Sequence, residues 1–286
     1  MHGGGKRFRA ELPGSGPSLG LEFARSIRKG WNMADFDAAL AGFAAMDDAA
    51  LARPWPFRDK PMDVRYALYR TLEDAQEVLV DLAARPHSES RRILALAQRA
   101  FGDLRGLVIG VPDEFLEKAP REGEWSVGEV LRHVLAVEQR YAIQTLWAVE
   151  RADSDPVRVP ADRLPPLTPP EVPGGAREVL ARIAAARAET DRSLGGLAPA
   201  QMTRPTQWVH YDVDVRFRLH RFAAHLVESA VQCEKNLAAL GCPVTEGRRI
   251  VRPLAALLGE IEGLGGLAEA RQLEARLAER FDSVRA

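Results

Sequence analysis

Apolar residues return at three- and four-residue steps along several long stretches of this sequence, with Ala, Leu, Arg and Glu filling most other positions. That spacing places the apolar side chains on one face of an α-helix, and those residue types are strong helix formers. The feature commits the chain to an all-α fold. Helices are expected over about 35–46, from Asp63 onward, over 88–107 and over 113–118. After Asp63 the inward stripe is Val64, Leu68, Leu72, Ala75 and Leu79, with the aspartate as N-cap. Ser126 with Glu129 three residues later forms a capping box and opens a long helix through about Arg151. Further helices are expected over 177–194, 214–241, 252–263 and 267–283. Only Thr206 to Tyr211 alternates as a short strand would.

Between Asp153 and Gly175 stand seven prolines. Proline removes a backbone donor and clashes with the preceding helical turn, so this stretch is expected to be a stiff crossover between helices. The organisation expected is therefore a glycine-rich flexible tail over 1–32, with Met33 opening the first helical pattern. An N-terminal helical unit over 33–86, a helical bundle over 87–242 and a C-terminal helical extension over 243–286 follow. A shift of 151 residues sets Arg53-Pro54 on Arg204-Pro205, and Asp63-Val64-Arg65-Tyr66 on Asp214-Val215-Arg216-Phe217. Leu68 and Arg70 fall on Leu219 and Arg221. A helix-loop-helix unit occurring twice and chance agreement in an Arg- and Leu-rich chain both account for this echo.

Composition narrows the function. Over 286 residues the formal charge is −1, which speaks against a general nucleic-acid binder. Cys233 and Cys242 are the only cysteines, too few for a disulfide framework or a thiolate zinc site. No run of about 18 apolar residues free of charge exists, so no membrane partner and a cytoplasmic location are expected. Of the six histidines, His133 and His225 lie mid-helix among apolar neighbours. Helical bundles build metal sites from inward side chains on facing helices, and imidazole is a common zinc donor.

The stretch Trp125-Ser126-Val127-Gly128-Glu129-Val130-Leu131-Arg132-His133, with Glu138 beyond it, resembles the second-helix signature of the DinB-like superfamily. Leu219 to Gly241, with His225, Glu228, Gln232 and the closing Leu240-Gly241, is similar to its fourth-helix signature. The resemblance covers about Arg91 to Gly241. It implies a four-helix bundle with one long crossover, often a homodimer. It also implies a divalent metal (Zn, Ni or Mn) held by one histidine on the second helix and a His-x-x-x-His pair on the fourth. Some relatives are thiol S-transferases that use a low-molecular-weight thiol.

By that resemblance His133 and His225 are the metal ligands, while the second member of the pair falls on Ser229. A hydroxyl is a poor zinc ligand, so the set is one donor short. Glu228 or Ser229 would then orient a nucleophile as the catalytic residues. The function expected is a metal-dependent hydrolase or thiol S-transferase acting on a small electrophile. The alternative is a non-catalytic ligand-binding or interaction protein with a degenerate metal site. In the echoed unit Asp74 stands at the place of His225 and Val78 at that of Ser229, so no ligand set is expected there. Arg65 and Arg216 are candidates for holding an anionic cofactor or for surface ion pairs. Trp125, Trp55, Trp147 and Trp208 read as structural plugs. The two imidazoles must lie within about 8 Å of each other to share one ion.

Overall fold

The computed structural model describes residues 33–166, 172 and 175–285; the expected tail over 1–32 lies outside them. Among the described residues the fold is all-α apart from two small hairpins. The elements in order are α1 (Met33–Ala45), α2 (Asp48–Leu51), β1 (Pro54–Phe57), β2 (Lys60–Asp63), α3 (Val64–Ala83) and α4 (Glu89–Val108). Next come α5 (Asp113–Leu116), α6 (Val127–Glu150), α7 (Gly175–Leu194) and α8 (Pro199–Met202). β3 (Pro205–Trp208), β4 (Tyr211–Asp214), α9 (Val215–Ala239), α10 (Glu246–Gly263) and α11 (Leu267–Arg285) complete the chain.

Caps fix the helix starts. Ser126 accepts from the Glu129 amide while Glu129 accepts from the Ser126 amide, the capping box the sequence announces. Asp63 and Asp214 accept from the amides of Tyr66 and Phe217, so α3 and α9 begin alike. α10 starts earlier than expected, because Thr245 caps it and Pro253 is accommodated inside.

The strand reading needs correction. Thr206 to Tyr211 is not one strand but the tip of a hairpin pairing Pro205 with Asp214 and Trp208 with Tyr211. A matching hairpin, unanticipated from the sequence, pairs Pro54 with Asp63 and Phe57 with Lys60. Its two-residue turn, Arg58-Asp59, takes left-handed backbone (φ 47° and 62°) without the Gly or Asn that normally advertises such a turn.

Two apolar cores form. In the first, α4 packs on α9, α9 on α6, α6 on α7 and α7 back on α4, around Leu94, Leu104, Leu131, Ile183, Leu219 and Phe222. In the second, α10, α3, α11 and α1 close the same kind of ring around Leu40, Phe43, Leu68, Leu254, Ile261 and Leu273. The N-terminal helices and the C-terminal helices thus share one core although they lie at opposite ends of the chain.

The echo in the sequence is an echo in structure. At an offset of 151 residues α2 falls on α8, β1 on β3, β2 on β4, and the start of α3 on that of α9. The ion pair Arg65–Glu246 (2.9 Å) has its counterpart in Arg216–Glu89 (2.5 Å). Both arginines are therefore engaged in ion pairs between helix starts rather than free for an anionic cofactor.

α4 and α10 cross where the halves meet. A Cβ on Gly102 would lie 2.2 Å from the Ala255 carbonyl oxygen, and one on Gly259 would lie 2.3 Å from that of Gln98. The contact is reciprocal, and glycine is needed because backbone meets backbone.

Candidate functional site

His133 sits on α6 and His225 on α9, two helices that pack directly against each other. Their Nε2 atoms are 3.3 Å apart, and the rings meet edge to face at 63°. The capping box sets the start of α6, and Asp214 sets that of α9, so the local sequence phases both helices toward this meeting. Burial pushes the His225 imidazole down to about 4, with the neighbouring His133 ring adding to the effect. Burial also lowers His133. Both rings are therefore neutral near pH 7, the state in which an imidazole nitrogen offers a lone pair.

The surrounding side chains define the edges of the site. Trp125 lies 5.1 Å from the His133 ring, centre to centre, and is 48% exposed. It is a cover on the imidazole rather than a buried plug. Tyr141 packs edge-on against both Phe222 and His225, at 5.6 and 6.0 Å.

The Ser229 hydroxyl is buried and donates to the His225 carbonyl at 2.8 Å. Among the described residues no donor reaches its lone pairs, so it can still accept a hydrogen bond. Glu228 is exposed, its carboxylate 3.3 Å from Arg221. Glu138 does not join the imidazoles either. It pairs with Arg187 at 2.9 Å inside the first core, where Asp191 and Thr190 complete a buried network.

Two neutral nitrogens bound to one tetrahedral ion at 2.0–2.1 Å would stand about 3.3–3.4 Å apart. The imidazole pair has that separation. The donor chemistry thus fits two corners of a metal site. Among the described residues no group of three or more His, Cys, Asp or Glu gathers around it or elsewhere. Water, Ser229 or a bound substrate would have to fill the remaining corners.

The second half has no such pair. Asp74, at the position of His225, is buried and bound by Arg70 at 2.5 Å and Arg280 at 2.7 Å. A closed ion cluster replaces the imidazoles there. The cysteines stand apart from both places. Cys233 is buried and its thiol is pushed up to about 12 by burial. Cys242 is likewise buried, with Arg248 3.0 Å from its sulfur.

Sequence reasoning missed one group beside the imidazoles. Arg218, Arg158, Gln144 and Trp208 line a cavity of about 290 Å³ that also includes Tyr141. An arginine on a helix reads as a solvated residue, and nothing in its spacing announces that Arg218 is buried.

The site is thus an imidazole pair between two directly packed helices, α6 and α9. Residues 96–228 match the model of the DinB superfamily, and this part of the chain is DinB-like. No curated protein and no solved structure matches the chain. No helix among the described residues is long and apolar enough to cross a membrane.

Proposed function

We propose that the protein is a DinB-like enzyme acting on a small electrophile, either a hydrolase or a thiol S-transferase, with His133 and His225 holding a divalent ion. The observation that carries this reading is the 3.3 Å separation of the two Nε2 atoms, with both rings neutral. Bound there, Zn, Ni or Mn would supply Lewis acidity that lowers the pKa of water or of a low-molecular-weight thiol.

The chain's own groups do the rest. His133 and His225 present their lone pairs from two helices held rigid by the first core. Trp125 restricts solvent above His133. Ser229, one turn beyond His225, accepts a proton-bearing group and orients it. Glu228, held by Arg221 on the exposed side, leaves that orienting role to Ser229.

Metal titration of the purified full chain tests the reading. Wild type is expected to take up about one ion per chain. His133→Ala and His225→Ala each abolish uptake, and Glu228→Gln leaves it unchanged. Ser229→His supplies a third imidazole one turn away and tightens binding at least tenfold. No uptake by wild type after reconstitution, or uptake unaffected by either histidine, would refute it.

One observation favours a second reading. Two protein donors are fewer than the three usual in a catalytic zinc site. A non-catalytic ligand-binding protein with a degenerate site is the reading that remains if wild type takes up no metal.

A further inference from the structure

The cavity beside the imidazole pair contains an unusual charge. Arg218 is 3% exposed, yet among the described residues no carboxylate lies within ion-pair distance of it. Its Nη1 donates to the Gln207 carbonyl at 2.8 Å and its Nη2 to the Gln144 side chain, both neutral oxygens. Its Nε is buried without a hydrogen-bond partner. Burial lowers this guanidinium to about 10, the direction expected of a desolvated cation lacking a counter-charge. A buried charge is normally paired, because the desolvation cost is otherwise unreturned.

The rest of the cavity points the same way. A second arginine, Arg158, stands at its exposed mouth and, among the described residues, donates to the Val209 carbonyl at 3.5 Å. None of the described lining residues is acidic. Of the carboxylates on the neighbouring elements, Asp212 accepts from the Gln207 side chain and Glu228 from Arg221. Trp208, Val159 and Val209 give the cavity an apolar side. Arg221 lies over the Trp208 ring at 4.8 Å and keeps a buried Nε without a partner. Val209 holds left-handed backbone (φ 55°), a costly conformation for a β-branched residue, and it does so at this rim. The volume, about 290 Å³, is close to the lower end of small-molecule sites.

We propose that this cavity binds a small organic carboxylate, its charge held by Arg218 and Arg158 and a flat apolar body laid against Trp208. Guanidinium presents several donors in a plane and suits a carboxylate, which would restore the missing counter-charge. Tyr141 lines the cavity and also packs on His225, so a ligand held here lies beside the imidazoles. The inference does not rest on a metal at that pair.

Calorimetry on the full chain with benzoate, benzamide and inorganic phosphate tests it. Benzoate is expected to bind saturably at millimolar concentration or below. Benzamide, of the same shape but uncharged, binds at least tenfold more weakly, and so does phosphate, which lacks the apolar body. Arg158→Gln, at the exposed mouth where folding is not at stake, and Arg218→Lys each weaken benzoate at least tenfold. His133→Ala leaves benzoate affinity unchanged, which separates this outcome from failure of the metal reading. Equal binding of benzamide or phosphate, no saturable binding of benzoate, or arginine variants that bind benzoate as wild type does, each overturns the assignment.

Discussion

Replacing Arg187 by methionine is expected to be among the most damaging single changes in the first core. Arg187 is fully buried and donates to Glu138 at 2.9 Å, to Asp191 at 2.7 Å and to Gln98 at 3.3 Å. Its removal strands two buried carboxylates, leaving the Thr190 hydroxyl on Glu138 and the charge of Arg91 acting on Asp191. Breaking a buried pair by deleting one partner costs about 3–5 kcal/mol. For a chain of this size that corresponds to a fall of about 6–20 °C in melting temperature.

The deficit should depend on pH. Burial already raises Asp191 to about 6, so its protonated form is the one folding favours. Its contribution is fully present below the unfolded aspartate range and is lost as pH rises through about 6. With the guanidinium gone that preference strengthens, and the variant's deficit shrinks on going from pH 8 to pH 5. A triple variant, Arg187→Met with Glu138→Met and Asp191→Leu, removes every stranded charge and should recover most of the loss. Circular dichroism melts of the three proteins at both pH values decide. A single variant as stable as wild type, or a triple variant as unstable as the single one, would refute the argument.

Other outcomes follow from the same structure. Gly102→Ala and Gly259→Ala should each cost about 1–3 kcal/mol in urea unfolding, and less than additively together, since both sit at the one crossing of α4 and α10. Burial raises Glu274 to about 7, so folding takes up a proton there, and that stability is lost as pH rises through 7. Glu274→Gln is thus expected to be more stable than wild type at pH 8 and to gain less on acidification, by about 2–3 kcal/mol at most. Native Cys233 and Cys242 should both resist a thiol reagent for hours and react at once in denaturant; rapid labelling of the folded chain would contradict their burial.

The all-α class, the capping box at Ser126 and the register of the echo are legible in the residues because each depends on local chemistry. Side-chain period and a hydroxyl three residues from a glutamate act within a few positions of the chain. His133 and His225 were also nameable, since each stands among apolar neighbours on a helix whose phase its cap sets. The hairpins were not. Their turns use left-handed backbone, at Arg58 and Asp59 in one and at Val209 in the other, without the glycine that usually marks it.

Tertiary structure alone decided the rest. It joined α1 and α3 to α10 and α11 in one core, although the two pairs lie at opposite ends of the chain. It set the imidazole nitrogens 3.3 Å apart, turned Glu228 outward to Arg221, and buried Arg218 without an acidic partner among the described residues. Those are outcomes of packing between helices remote in sequence, and no local pattern records how two distant surfaces will meet.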